Sequence, residues 1–330
     1  MAKSKVKKNL NECAGTMEGA VNEEKVVTKK TKRLPSWLPY PIIAVVAISI
    51  GAGAGIFAKR KFGQEQIDYS NFDASSLSMD SKELLKQYEA NPNADYSPAE
   101  LVNIGLEKYR QCENSYSFCV GTASTIVNQS IRNAQIKNGD TYFEEQLSKS
   151  SMVSIANRLV TTTNAETTEI YRGTAEASEV ATYDGSKDTV SNEDLTGRIL
   201  GRSLQDMFIY TISDDTMYDD STVETLANGN KKIYIHLDPD LSTYFYKIQM
   251  KGMSDLDDLP TFNYVKLTYT FSTDMTLLHC YVEEKYQATM GVTASITNTI
   301  HNYYHANEYL KIPELGEQFS YSTKGEETYE

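Results

Sequence analysis

Few side chains in this sequence could ligate a metal or drive a nucleophile, and the spacing of each group can be compared with the chemistry it would need. His236, His279, His301 and His305 all fall in the C-terminal third. Imidazoles are common metal ligands, and alternation puts His301 and His305 on one strand face. Four residues along a strand span about 13 Å, too far for both rings to reach one ion. The histidines therefore read as polar residues on the wet face of a sheet, and no metal is expected. Asp214-Asp215, Asp219-Asp220 and the run Asp255, Asp257, Asp258 lack the ordered spacing of an EF-hand loop and read as solvated acidic loops. Glu283 and Glu284 point to opposite faces of a strand, a poor geometry for paired acid/base work. The glycine run Gly51–Gly55 lies in an apolar stretch and follows no strand, so it is no phosphate loop. No G-x-S-x-G elbow and no Cys/His nucleophile pair is present. The expectation is a protein that is not an enzyme, with no catalytic residue and no cofactor.

Cys112, Cys119 and Cys280 lie in the C-terminal body and Cys13 near the N-terminus. Three is an odd number, which makes no disulfide framework. A Cys112–Cys119 bridge and buried free thiols both fit. Cys119 and Cys280 fall in strand-like runs, where a thiol behaves as a small hydrophobe.

Composition narrows the function classes further. The 330 residues carry 32 Lys+Arg against 45 Asp+Glu, a net charge of −13 that argues against a nucleic-acid binder. With 40 % apolar residues and only 18 Gly and 8 Pro, the chain is neither disordered nor low-complexity. The charge is uneven. Residues 1–33 hold nine basic and four acidic side chains, and residues 62–330 carry −21. Between them, Trp37–Ala58 reads WLPYPIIAVVAISIGAGAGIFA without a charge. Its 22 residues as a helix cover about 33 Å, enough for a hydrocarbon core of roughly 30 Å. Five basic residues flank its N-terminal side (Lys25, Lys29, Lys30, Lys32, Arg33) and three its other side (Lys59, Arg60, Lys61). The positive-inside rule then predicts a single-pass cell-membrane protein with a cytoplasmic N-terminus and an extracytoplasmic body. A cleaved signal peptide, with Pro41–Ile50 as its apolar core, is the competing reading; the basic region before it is unusually long for one. Gly51 and Gly55 form a small-xxx-small pair that would let two such helices pack as a homodimer.

These readings divide the chain into a basic tail (1–36), a membrane helix (37–58), a spacer (59–96) with a helical patch at Ser81–Ala90, a β+α domain (97–315) and an acidic tail (316–330). The domain opens with Ser97-Pro98-Ala99-Glu100, an N-cap, a first-turn proline and a capping-box glutamate. Strands are predicted at Tyr116–Val127, Thr167–Ala175 and Met207–Ile212, with turns at Asn138-Gly139-Asp140 and Asp184-Gly185. Asn228-Gly229 links Val223–Leu226 to Lys231–Leu237. Helical interruptions fit Leu195–Gln205 and Leu241–Met253. The clearest pattern is a meander, Phe262–Phe271, Leu278–Ala288 and Val292–Tyr304, with one wet face and one face that the inserted helices must cover.

The capped helix, the run of antiparallel strands, the form F-x-x-V-x-L-x-Y-x-F-x-x-D from Phe262 and the Ile312-Pro313-Glu314-Leu315 ending resemble exported lipid-carrier domains of the lipoprotein-carrier and mycobacterial lipoprotein type. That resemblance covers about 220 residues and implies a strongly curved sheet wrapped around helices, with a concave apolar cavity for an acyl chain. The fold class expected is α+β, a transmembrane helix followed by a curved antiparallel sheet under a few helices. The function expected is a membrane-anchored binding protein. Lipid or another apolar ligand would lie against Leu241, Tyr244, Phe245 and Ile248 on one side and Val265, Leu267 and Tyr269 on the other. The alternative is a surface module with a filled core that recognises a protein or cell-wall partner through its outer face.

Overall fold

The computed structural model describes residues 77–125, 127–151, 154–177, 180–195, 209–253, 256–315 and 317. Helix α1 (Ser81–Ala90) leads into α2 (Pro98–Arg110), whose N-terminus carries the predicted capping box: the Glu100 amide donates to Ser97 Oγ at 3.1 Å and the Ser97 amide to Glu100 Oε2 at 2.8 Å. Its C-terminal end is held by the Lys137 ammonium, which donates to the carbonyls of Arg110 (3.1 Å) and Cys112 (2.7 Å), where the helix dipole favours a cation. Six strands follow: β1 (Asn114–Ser124), β2 (Asn128–Asn138), β3 (Thr141–Lys149), β4 (Ser154–Thr162), β5 (Thr167–Ala177) and β6 (Val180–Ser191). After a short helical turn α3 (Asn192–Asp194) come β7 (Thr222–Thr225), β8 (Lys231–Leu237), α4 (Pro239–Ser242), α5 (Tyr244–Met253), β9 (Thr261–Phe271), β10 (Leu277–Met290) and β11 (Val292–Ala306).

All eleven strands join one antiparallel sheet in the order β6-β5-β4-β3-β2-β1-β11-β10-β9-β8-β7. The sheet is curved and open, with β6 and β7 at its two edges. Its inner face is covered by α2, which packs on β8 and β10, and by α1 behind it. Leu84, Leu85, Leu101, Ile104, Tyr246 and Met250 meet Ile233, Leu267, Phe271, Val282 and Ile300 there. A second apolar cluster lies on the outer face of the other half, where Leu310 and Ile312 pack on Phe118, Ile136, Phe143, Leu147 and Ala156.

The fold class thus differs from the expected α+β plan. One large antiparallel sheet dominates, and the helices are minor cover. The cause is visible in β2, β3 and β4. Residues Tyr142–Ser148 are buried on both faces. Glu144, Gln146 and Ser148 turn inward, while Glu145 and Arg158 are buried on the outer face. Polar residues on two buried faces erase the apolar alternation from which a strand is read.

The single-pass membrane anchor and the cell-membrane location are corrected as well. Among the described residues no helix is long and apolar enough to cross a membrane. The span Trp37–Ala58, with Gly51 and Gly55, lies outside the described residues, as do the 1–36 tail and residues 318–330. Within the expected spacer, residues 77–96 pack on the core through Leu84 and Leu85. Ile209–Ile212, expected to end a strand, lies outside the sheet, and of the expected helix Leu195–Gln205 only Leu195 is described. Asp184-Gly185, read as a turn, interrupts the register of one continuous strand, β6, with Gly185 at φ +85°.

Candidate functional site

The register lines up one inward-facing residue from each of nine strands: Ile233, Tyr269, Cys280, Asn302, Cys119, Asn133, Gln146, Asn157 and Arg172. The row is apolar at its β8 end and polar at its β5 end. At the junction lies a cavity of about 40 Å³. Ser117, Asn133, Gln135 and Asn302 line it with polar groups, and Val282, Ile300 and Ile209 with apolar ones. Tyr210, Tyr246, Tyr269, Tyr304 and Glu284 complete the wall.

Glu284 is fully buried. The Tyr210 hydroxyl donates to its Oε2 at 2.5 Å, while the Tyr246 hydroxyl (3.0 Å) and the Asn298 amide (2.7 Å) donate to Oε1. Burial raises its pKa above the ordinary carboxyl value, against the lowering effect of those three hydrogen bonds. Among the described residues no cationic side chain pairs with it. Burial likewise pushes the Cys119 thiol up to about 12 and raises Cys280 and the lining tyrosines. The thiols and phenols therefore stay protonated at neutral pH, and none of them is poised as a nucleophile.

Two buried polar atoms of lining residues have no protein partner: the Asn133 carbonyl oxygen and the Gln135 amide nitrogen. Each spends its other end on a neighbour. The Asn133 amide donates to Glu144 Oε1 at 3.4 Å, and Gln135 Oε1 accepts from Ser117 Oγ at 3.5 Å. Further along the row, Gln146 Oε1 and the Asn157 amide nitrogen are also without protein partners.

The residues expected to line an apolar cavity are placed differently from one another. Val265, Leu267 and Tyr269 are buried on the inner face, and of the six whose side chains are described only Tyr269 reaches the cavity. Tyr244 is half-buried, and Leu241 and Phe245 are 37 % and 39 % exposed. Ile248 sits in α5, which turns Tyr246 and Met250 inward. The expectation of a lipid-binding, lipoprotein-like domain is corrected. The inner apolar half is filled by helix side chains, and the cavity that remains is half polar. It is also far smaller than the roughly 300–1,000 Å³ of a drug-sized pocket.

Cys112, Cys119 and Cys280 are free and buried. His279 and His301 share the outer face, with His279 Nε2 3.2 Å from His301 Nδ1. Among the described residues no group of three or more His, Cys, Asp or Glu is arranged to hold a metal ion. Glu284, Asn133 and Gln135 were missed by sequence reasoning. The available signal was the alternation of β10, which puts Glu284 on the face of Cys280, Val282 and Tyr286. No protein-family model matches the chain, and no curated protein matches it.

Proposed function

We propose that this chain is a binding module rather than a catalyst, and that its ligand is a small polar molecule held in the cavity beneath Tyr210 and Tyr246. The observation that carries this reading is the pair of unpartnered buried groups, Asn133 Oδ1 and Gln135 Nε2, in the wall of one cavity. A buried polar atom left without a hydrogen bond costs about 1–3 kcal/mol, and a ligand offering one donor and one acceptor removes that cost at both atoms. About 40 Å³ admits a molecule of two to four heavy atoms or a few waters. The high pKa values of the cavity thiol and hydroxyl groups support binding over chemistry.

Saturation-transfer NMR on the full-length chain tests it, with acetamide and methylammonium as probes. At least one probe is expected to bind the wild type and to lose its signal in Asn133→Leu, which fills the cavity and removes the acceptor. Equal signals from wild type and variant, or none from either, would reject the cavity as a binding site.

A second reading has its own observation. Tyr234, Tyr281 and His301 fall in one cross-strand row on the outer face, and all three reach solvent. Half-wet aromatic side chains of this kind suit a protein or cell-wall partner. Binding of isolated cell-wall polymer that is lost in Tyr281→Ser would favour it.

A further inference from the structure

We infer that the occupant of the cavity is a small organic ammonium cation, with Glu284 as its counter-charge; this rests on the binding reading above and names its ligand class. A carboxylate has about four lone-pair sites. Three are taken here, two on Oε1 by Tyr246 and Asn298 and one on Oε2 by Tyr210, which leaves one site on Oε2. All three donors are neutral, so they orient the carboxylate without cancelling its charge. A buried carboxylate with no cation beside it is costly, and an ammonium group donating to the open site removes that cost.

The rest of the wall suits such a cation except at Gln135 Nε2, a donor that an ammonium group leaves without a partner. Asn133 Oδ1 is an acceptor without a partner, buried at 3 % exposure and in the cavity lining. Tyr210 and Tyr246 meet edge to face with ring centroids 5.6 Å apart and planes at 83°, forming an aromatic corner, and Tyr269 and Tyr304 add two more rings. Aromatic faces attract organic cations through the ring quadrupole. A metal ion is a poorer match, because one carboxylate and neutral amides among aromatic rings do not make the all-oxygen shell that hard cations require. The apolar lining, Val282, Ile300 and Ile209, accommodates the short alkyl group. Methylammonium fits the volume.

The test is a titration of the full-length chain with methylammonium chloride, against potassium chloride and acetamide at equal concentration. Ligand NMR and the thermal midpoint are the readouts. Saturable methylammonium binding is expected, with a raised midpoint that potassium does not reproduce. In Glu284→Gln the preference for methylammonium over acetamide should fall about thirtyfold or more, as when one partner of a buried charge pair is removed. If Glu284→Gln does not fold, Asn133→Leu must weaken methylammonium binding, and unchanged affinity there would overturn the assignment. An equal response to potassium would also overturn it. Acetamide binding without methylammonium binding would defeat the cation while leaving the cavity reading intact, whereas binding of neither would defeat both.

Discussion

Two buried titratable residues on opposite faces of β10 pull the pH dependence of stability in opposite directions. His279, on the outer face, is 3 % exposed and faces His301 on β11 and Lys232 on β8, with Tyr281 and Tyr303 around it. Burial first, then the His301 and Lys232 charges, lowers its pKa from 6.5 to about 4. Between those values the unfolded chain binds a proton that the folded chain refuses, so stability rises with pH across that window and is lost as pH falls from about 6.5 to 4. The loss is on the order of 3 kcal/mol. Glu284 works the other way: its folded pKa lies above the ordinary value, so the folded state holds the extra proton, and stability falls as pH rises past the normal carboxyl range. Urea denaturation of the wild type at pH 7 and pH 4.5 should therefore show a smaller acid loss than His279 alone dictates. His279→Gln should flatten the dependence, and Glu284→Gln should steepen it. A steeper profile in His279→Gln would contradict the assignment. The adjacent Glu283 and Glu284 point to opposite faces, as alternation requires. What alternation alone does not reveal is that the inward carboxylate meets three donors supplied by α5, β11 and the 209–212 segment.

At the scale of elements, α2 is the helix most fully written in the sequence. Its cap, its first-turn proline and its apolar stripe are all local signals, and Ser97→Ala should cost about 1 kcal/mol in chemical denaturation. Its seat on the sheet is not local. A Cβ placed on Gly105 would lie 2.1 Å from the Phe271 ring, and Phe271 is fully buried. Glycine is needed there for close approach, so Gly105→Ala should destabilise by about 1–3 kcal/mol although alanine favours helix. An unchanged or raised midpoint would show that the ring can step aside. The meander β9–β11 was legible for a comparable reason: one face is mostly polar and the other mostly apolar, so its side chains alternate in kind. For β2 and β3 the hairpin at Asn138-Gly139-Asp140 was read, with arms ending near Lys137 and beginning near Thr141, but the extent of β2–β4 was not, because Gln, Asn, Glu and Ser occupy a buried face. The same polar residues make the candidate site, so the feature that hid these strands is the one that gives the cavity its hydrogen-bonding wall. The expected helix Leu241–Met253 is broken at Thr243 into α4 and α5, and Tyr246 and Met250 turn inward where the expected stripe was Leu241, Tyr244, Phe245 and Ile248.

At the scale of the molecule, two apolar cores among the described residues lie on opposite faces of one sheet, and each needs its own cover. The inner core has helices. Among the described residues, the outer core over β1–β5 is covered by 307–315 and 317, which run on from the last strand. Leu310 and Ile312 fill its apolar part, the Asn138 amide donates to the Leu310 carbonyl at 3.0 Å, and Arg158 fixes the far end. The Arg158 guanidinium donates to Glu145 Oε2 at 2.6 Å and to the carbonyls of Glu314 (2.8 Å) and Glu317 (3.2 Å), with the Tyr183 hydroxyl also on Glu145. The Ile312-Pro313-Glu314-Leu315 motif thus belongs to this strap, which bridges the end of β2 and β4. Arg158→Ala strands a carboxylate that is 1 % exposed and frees two carbonyls, so it should cost about 3–5 kcal/mol. Replacing the pair together, Arg158→Met with Glu145→Leu, should recover most of the Glu145 part, because no unpaired charge is then left inside. Hydrogen exchange separates this from a general loss of stability. In Arg158→Ala the amides of β2–β5 should open first while those of β9–β11 keep their protection, since the inner core and its helices are untouched. Uniform loss of protection across all eleven strands would mean that the sheet unfolds as one unit and that the strap does not act on its own half.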